Sequence, residues 1–165
     1  MPANFTEEQR QEIQGKLIAV GYDLIREMGL KKMKVSVIAE RADIATGTFY
    51  HFFDSKEAYV RALLDEQDRK MQQILIPMLQ ESGRISLEQA IQWLRDSFRT
   101  QNNILMEITV DDWIWLKSHR LQNTLFNEER EEQEARQFLS IVDGIRPDLD
   151  IRIIINFFNF KFFIF

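Results

Sequence analysis

Cysteine is absent from this chain of 165 residues, so disulfide bonds, thiolate metal sites and cysteine nucleophiles are excluded. The same absence fits a reducing compartment, and we expect a cytoplasmic protein. Glycine and proline are also scarce, with six and three residues, and both cluster at plausible breaks in the chain. Strand patterns are weak and helical periods are strong, which predicts an all-α protein without an internal repeat.

Long apolar runs are equally few. The N-terminus, MPANFTEEQRQ, is polar and has no apolar stretch of the signal-peptide type. The longest apolar run, residues 151–165, contains eleven Ile or Phe residues but also Arg152 and Lys161. It is shorter than the roughly 20 residues of a membrane-spanning helix. We therefore expect no membrane partner.

The apolar tail, residues 151–165, leaves three interpretations open. It can be a short dimerisation helix that a second copy buries, an altered or truncated C-terminus, or a membrane-associated segment. Exposed in a monomer, such a patch would promote aggregation. Burial in a dimer is therefore the preferred hypothesis.

The net charge of −5 is unevenly distributed along the chain. Residues 1–56 hold eight Lys or Arg and eight Asp or Glu, whereas residues 57–165 hold thirteen against eighteen. A neutral N-terminal third can present a local basic face, while the acidic remainder would be held away from a phosphate backbone. The overall charge therefore does not exclude a nucleic-acid partner.

Capping signals and breaks divide the chain into helices. The segment Thr6-Glu-Glu-Gln9 fits a capping box, and Ser86-Leu-Glu-Gln89 fits a second one. From the first box, an apolar stripe at spacings of three and four residues runs to Gly29, where we expect the helix to stop. Further helices are predicted over residues 35–42, about 45–52, from Ser55 to about Ile76, from Ser86 to about Thr100, 103–118 and 121–144.

Two of the short predicted helices, 35–42 and 45–52, are joined by a tight turn at Asp43, which is the geometry of a helix-turn-helix. One face of the second helix is apolar and should point inward, whereas the opposite face is polar. A polar helix face of this kind can enter the major groove of DNA. The inward residues are Ile44, Phe49, Phe52 and Phe53, and the polar residues are Thr46, Gly47, Tyr50 and His51, with Thr48 at the edge.

The polar residue types suit both parts of a DNA contact. Threonine hydroxyls and methyls can contact base edges, and glycine lets the backbone approach the DNA closely. Tyr50 and His51 can donate hydrogen bonds to phosphates, which position the helix. Lys56 adds a cation beside the N-terminus of the next helix, a favourable phosphate site, and three lysines in residues 31–34 add further charge.

The segment VSVIAERADIATGTFYHFFDSKEAYVRALL resembles the DNA-binding region of the tetracycline-repressor (TetR) family of bacterial transcriptional regulators. The resemblance covers roughly residues 10–64. It implies a helix-turn-helix domain over residues 1–54 and a helical regulatory and dimerisation domain over residues 55–165. It also implies a homodimer, a double-stranded DNA operator and a small-molecule inducer. By this resemblance Thr46, Gly47 and Thr48 face bases, while Tyr50, His51, Lys56, Lys34 and Ser36 bind phosphates.

Three residues depart from the family pattern. Asp43 stands at the turn, where the family often has glycine, and aspartate tolerates a left-handed conformation less well than glycine. Lys34 and Ala45 stand where serine or threonine often opens each short helix, and a lost cap costs about 1 kcal/mol. We expect DNA binding to survive these changes.

The region 87–126 is rich in aromatic residues and has two interpretations. The aromatics can form the core of a helical domain, or they can line an inducer pocket with a few convergent polar groups. Tryptophan and carboxylates together would suit a cationic, lipophilic molecule. No metal site is expected, because the acidic residues and histidine here lack the spacing of a helical metal site. The pocket candidates are Trp93, Phe98, Met106, Asp111, Trp113 and Phe126.

The leading hypothesis is a ligand-responsive homodimeric regulator, a repressor, that binds a palindromic operator through helix 45–52. Activation stays open, because both modes use the same DNA contacts. The alternative is a helical protein-interaction module that has lost specific DNA binding. An enzyme is not expected, because the sequence lacks a nucleophile–base pair, a phosphate-binding glycine loop and a metal-ligand cluster. No cofactor is expected.

Overall fold

The computed structural model describes residues 5–79, 83–99, 103–119, 128–146 and 148–152. It confirms the predicted all-α class, since the described residues contain no strand and a single parallel bridge, between Ile85 and Val142. None of the described helices is both long and apolar enough to cross a membrane. The helices are α1 Glu7–Lys32, α2 Val35–Arg41, α3 Thr46–Phe52, α4 Lys56–Leu75 with a 3-10 turn Ile76–Met78, α5 Leu87–Arg99, α6 Ile104–Glu107, α7 Val110–Ser118 and α8 Glu128–Ser140.

The chain divides into two compact units. The first unit comprises Met1–Asp68 and Gln101–Leu121, and the second comprises Arg69–Thr100 and Gln122–Phe165. The first unit therefore contains the helix-turn-helix together with α6 and α7. The predicted domain boundary between residues 54 and 55 lies inside the first unit and stays a prediction.

Helix α1 begins and bends where the sequence predicts. In the capping box, the Gln9 N–H donates to Thr6 Oγ1 at 3.2 Å and the Thr6 N–H donates to Gln9 Oε1 at 3.0 Å. Gly29 leaves the helical conformation, with φ 79° and ψ 164°, and the chain then resumes a short helical stretch to Lys32. The predicted break is confirmed, although the residues after it are partly helical rather than an open connector.

The core of the first unit is built around Tyr59 of α4. Its hydroxyl donates to the Leu17 carbonyl of α1 at 2.6 Å, and its ring centroid lies 5.4 Å from that of Phe49 and 5.1 Å from that of Phe53. Edge-on ring pairs of this kind add about 0.5–1.5 kcal/mol each beyond area burial. A Cβ at Gly21 would lie 2.5 Å from the Tyr59 hydroxyl, so the glycine lets α1 and α4 approach closely.

The second unit has a small core around Ile85. The Ile85 N–H donates to the Ile141 carbonyl and the Asp143 N–H donates to the Ile85 carbonyl, both at 2.8 Å. The predicted second capping box is confirmed, with the Gln89 N–H 3.1 Å from Ser86 Oγ and the Ser86 N–H 2.8 Å from Gln89 Oε1. This box fixes the start of α5, whose face packs onto the same core.

Two predicted helices are wrong in their extent. Residues 103–118 form α6 and α7 rather than one helix, because Thr109 caps α7 in a third capping box with Asp112. The helix predicted over 121–144 ends at Ser140, because Val142 pairs with Ile85 outside any helix. Residues 121–127 and the tail beyond Arg152 lie outside the described residues.

Candidate nucleic-acid interface

The turn between α2 and α3 is closed by backbone hydrogen bonds. The Asp43 N–H donates to the Glu40 carbonyl at 3.1 Å, and the Ile44 N–H donates to the Ala39 carbonyl at 3.0 Å. Asp43 has φ 55°, the left-handed conformation that aspartate adopts more readily than most residues. The predicted sharp turn at Asp43 is therefore confirmed, and it sets the direction in which α3 leaves α2.

The two short helices start without side-chain caps. Lys34 precedes α2 and Ala45 precedes α3, and neither side chain makes a capping hydrogen bond. Packing compensates for the missing caps, because Ile38 of α2 and Phe49 of α3 are fully buried. Helices this short depend on tertiary packing rather than on intrinsic propensity. The position of α3 is thus set by the apolar residues beneath it.

Helix α3 has the two faces that the sequence predicts. Phe49 and, just after the helix, Phe53 are buried, while Ile44 and Phe52 are half-buried. Thr46, Gly47, Tyr50 and His51 are exposed, and Thr48 is half-buried at the edge. The residues of α3 that are proposed to contact DNA therefore lie along one side of the helix. The opposite side is anchored by the buried aromatic residues.

Packing within the protein does not explain why position 47 is a glycine. A Cβ at this position would meet nothing within 4 Å, and its φ is not in the left-handed range. A glycine in a helix is roughly 0.5–1 kcal/mol less favourable than alanine. Because neither close packing nor backbone conformation requires it, Gly47 is better explained by the approach of a molecule from outside.

Sequence reasoning missed one cation beside α3. The Arg10 guanidinium of α1 lies 5.8 Å from the Phe52 ring centroid, and the Phe5 ring packs against the same ring at 5.9 Å. Arg10 therefore stands next to the C-terminal end of α3. The sequence carries no direct signal for this contact, because periodicity does not say which part of α1 meets α3.

The phosphate candidates that precede and follow α3 differ in their exposure and in their contacts within the protein. Lys34 and Ser36 are exposed at the start of α2, as expected for phosphate contacts. Lys56 is half-buried, and its ammonium donates to the Lys31 carbonyl at 3.0 Å and lies 4.3 Å from the centroid of the Trp115 ring. Burial lowers the pKa of Lys56, and the carboxylates of nearby residues only partly offset this effect. Its ammonium is thus engaged within the protein rather than presented to a phosphate.

Residues in and just after α7 surround the Lys56 ammonium and the Lys31 backbone. Nothing in the sequence predicts that these residues lie together. Asp112 is buried, and its carboxylate accepts the Lys31 N–H at 2.8 Å and the Thr109 N–H at 3.1 Å. His119 stacks on Trp115 with ring centroids 4.3 Å apart, and its Nε2 lies 3.8 Å from the Glu57 carboxylate. Contacts between residues more than fifty positions apart are not visible in a single sequence.

The predicted inducer pocket stays a prediction. Trp93 belongs to the second unit, where its indole N–H donates to the Met71 carbonyl at 3.0 Å and its ring packs on Phe138 at 4.7 Å. Met106, Asp111 and Trp113 belong to the first unit, where Met106 is 52% exposed. The Trp93 contacts fit the core interpretation. The Phe98 side chain and Phe126 lie outside the described residues.

Comparison with known proteins agrees with this geometry. Residues 17–63 match the model of the bacterial regulatory proteins, tetR family. The HTH-type transcriptional repressor NemR of Escherichia coli is 36% identical over 64 residues, which cover 39% of this chain and 32% of NemR. The HTH-type transcriptional repressor KstR2 of Mycolicibacterium smegmatis is 26% identical over 162 residues, covering 92% of this chain and 77% of KstR2.

The matched segment runs from α1 through the first part of α4, and it includes the whole of α2, α3 and the turn between them. The match to NemR spans about a third of the length of that relative. The match to this family model therefore coincides with the helix-turn-helix of the first unit.

Proposed function

We propose that this chain is a transcriptional regulator, a repressor, that binds double-stranded DNA with α3 in the major groove. The observation that carries the proposal is the exposed polar face of α3, anchored from beneath by Phe49 and Phe53. A rigid helix that presents small polar side chains is what base reading in the major groove requires. The tetR-family domain and the relatives named as repressors support the same function.

Base contacts are assigned to the N-terminal half of α3. The hydroxyl and methyl groups of Thr46 and Thr48 can each contact base edges, including the methyl group of thymine. Gly47 between them lets the helix backbone approach the groove, which accounts for a glycine that packing does not require. Three consecutive small residues thus form the reading surface.

Phosphate contacts are assigned to the flanks of that surface. The exposed Tyr50 and His51 can donate to phosphates on one side, and Lys34 and Ser36 at the start of α2 can do so on the other. We add Arg10, whose guanidinium stands over the Phe52 ring at the C-terminal end of α3. Such contacts carry no sequence information, but they fix the register of α3 on the duplex.

A homodimer and a small-molecule inducer complete the proposal. Two copies of α3 related by two-fold symmetry would meet successive major grooves, so the operator would be an inverted repeat with half-sites about 10 base pairs apart. An inducer shifts the equilibrium only by its differential affinity for the DNA-binding and non-binding arrangements. The apolar tail and the predicted pocket residues are candidates for the dimer interface and the inducer site.

The test is selection of bound duplexes from random DNA with the purified chain at moderate salt. An enriched inverted repeat supports both DNA reading and dimerisation. An enriched single half-site supports DNA reading by one copy and contradicts the dimer. Absence of any enriched sequence contradicts the proposal and favours the interaction module.

Lys34→Ala and Arg136→Ala form a charge-matched pair of variants that sharpens this test. His51→Ala and Lys34→Ala should weaken binding to all sequences alike, because each removes a phosphate contact. Lys34→Ala should also reduce the salt dependence, because it removes a cation. Arg136→Ala in α8 is the control, since Arg136 is an exposed cation paired with Glu132 in the second unit. Equal losses in Arg136→Ala and in Lys34→Ala would mean that only net charge matters.

A further inference from the structure

The ammonium of Lys56 is held by two elements of the first unit. It donates to the Lys31 carbonyl, just after the break in α1, and it lies over the Trp115 ring of α7. A cation over the face of tryptophan is attracted by the negative face of the ring, and tryptophan is the best aromatic residue for this contact. The position is therefore a defined binding site for the ammonium, not a chance surface orientation.

Both partners of Lys56 are themselves fixed by α7. The buried Asp112 carboxylate accepts the Lys31 N–H, so the same residue that offers its carbonyl to Lys56 is bound to α7 through its amide. Trp115 lies one turn further along α7, with His119 stacked on its ring. A displacement of α7 against α1 and α4 would therefore disturb both contacts of the ammonium together.

Lys56 is also a phosphate candidate at the start of α4, and the two roles compete. To reach a DNA phosphate, the Lys56 ammonium would have to leave the Trp115 ring and the Lys31 carbonyl. In the free protein the ammonium is partly removed from water, and burial lowers the pKa of Lys56. A phosphate, which makes a charge-assisted hydrogen bond, would bind the ammonium more strongly than a neutral carbonyl does.

We propose that Trp115 and the Lys31 carbonyl act as a latch that withholds Lys56 from the DNA until the ammonium is released. The proposal rests on the proposed function and adds to it a means by which α7 controls DNA affinity. Trp115 is a positioning residue in this scheme, since it acts on DNA through Lys56 and does not contact it. Any event that moves α7 away from the start of α4 would free the cation and tighten binding.

The first test observes the latch directly. The side-chain methylene protons of Lys56 lie near the indole ring, whose ring current shifts their resonances upfield, and Lys56→Met identifies those resonances in protein labelled with ¹³C-lysine. Titration of the full chain with a duplex should return these resonances to ordinary lysine positions, because Lys56 leaves the ring. Resonances that stay shifted in the saturated complex would overturn the latch.

The second test measures affinity for the same duplex. Trp115→Leu removes the aromatic face and should tighten binding by roughly 2- to 30-fold, the worth of the lost cation–π contact. Trp115→Phe keeps an aromatic face and should stay closer to the wild type. In the Lys56→Met background, Trp115→Leu should have no effect, because there is no ammonium to release.

Results that contradict the latch can be distinguished from results that contradict DNA binding itself. Weaker binding by Trp115→Leu that depends on Lys56 would mean that Trp115 presents the lysine to DNA, and the latch would be wrong. An equal change in both backgrounds would mean a general structural role for Trp115, and it would also overturn the latch. If neither the wild type nor Trp115→Leu binds any duplex, the proposed function itself fails, whereas binding with an unmoved Lys56 refutes the latch alone.

Discussion

Gly29→Ala should be strongly destabilising, although it adds only one methyl group. Gly29 has φ 79° and ψ 164°, a combination that is essentially restricted to glycine and costs other residues about 1–3 kcal/mol. The new Cβ would also lie 2.8 Å from Oδ2 and 2.9 Å from Oδ1 of the buried Asp112. A contact this short forces the carboxylate to move.

Movement of Asp112 adds a second cost. Its carboxylate accepts the Lys31 N–H at 2.8 Å, and a hydrogen bond to a charged group is worth about 1.5–3 kcal/mol. Together the backbone and carboxylate effects predict a loss of about 3–5 kcal/mol in the free energy of unfolding. A loss of this size is a large part of the roughly 5–15 kcal/mol that stabilises a typical domain.

Urea unfolding followed by circular dichroism measures this loss, and Gly15→Ala is the matched control. Gly15 lies in α1 with nothing within 4 Å of its would-be Cβ, so alanine there should stabilise the helix by roughly 0.5–1 kcal/mol. In an Asp112→Ala background the clash disappears, and Gly29→Ala should then cost only the backbone term. A Gly29→Ala protein within about 1 kcal/mol of the wild type would refute the reasoning.

Three further predictions concern the core, the interface and the second unit. Burial raises the pKa of Tyr59, so the neutral hydroxyl contributes stability below the ordinary tyrosine pKa of about 10 and loses it as the pH rises further. Above that pH, the free energy of unfolding should therefore fall more steeply with pH for the wild type than for Tyr59→Phe. Parallel pH dependences would mean that Tyr59 is not the source of the loss. Thr46→Ala should change the selected DNA sequence, whereas His51→Ala should weaken all sequences alike; an unchanged preference removes Thr46 from the base-reading residues. Ser86→Ala should cost about 1 kcal/mol in urea unfolding, since it removes the cap of α5, while an unchanged midpoint would mean that the Gln89 contact alone suffices.

The parts of the fold that depend on neighbouring residues were predictable from the sequence. Capping boxes at Thr6 and Ser86, the break at Gly29 and the turn at Asp43 each use residues within four positions of one another. The two faces of α3 follow from its spacing in the same way. The surface proposed to contact DNA is therefore largely encoded in a local pattern.

The parts that depend on distant residues were not predictable. The break between α6 and α7 is an exception, because its capping box joins Thr109 to Asp112 and is a local signal that the predicted helix 103–118 overlooked. The contact of Lys56 with Trp115 joins residues fifty-nine positions apart, and no periodicity reports it. The charge of Lys56 was evident from the sequence, but the direction in which its ammonium points is a property of the tertiary structure.

The first compact unit is interrupted in the sequence, so its fold cannot be moved to another protein as one continuous segment. Met1–Asp68 packs with Gln101–Leu121, and Leu30 of α1, Ile104 of α6 and Leu116 of α7 are all buried in the same unit. A fragment cut after Asp68 would expose the end of α1 to water and remove the acceptor of the Lys31 N–H. Transferring this unit to another protein therefore requires Gln101–Leu121 as well as Met1–Asp68, and the DNA specificity proposed for α3 would depend on two segments of chain rather than one.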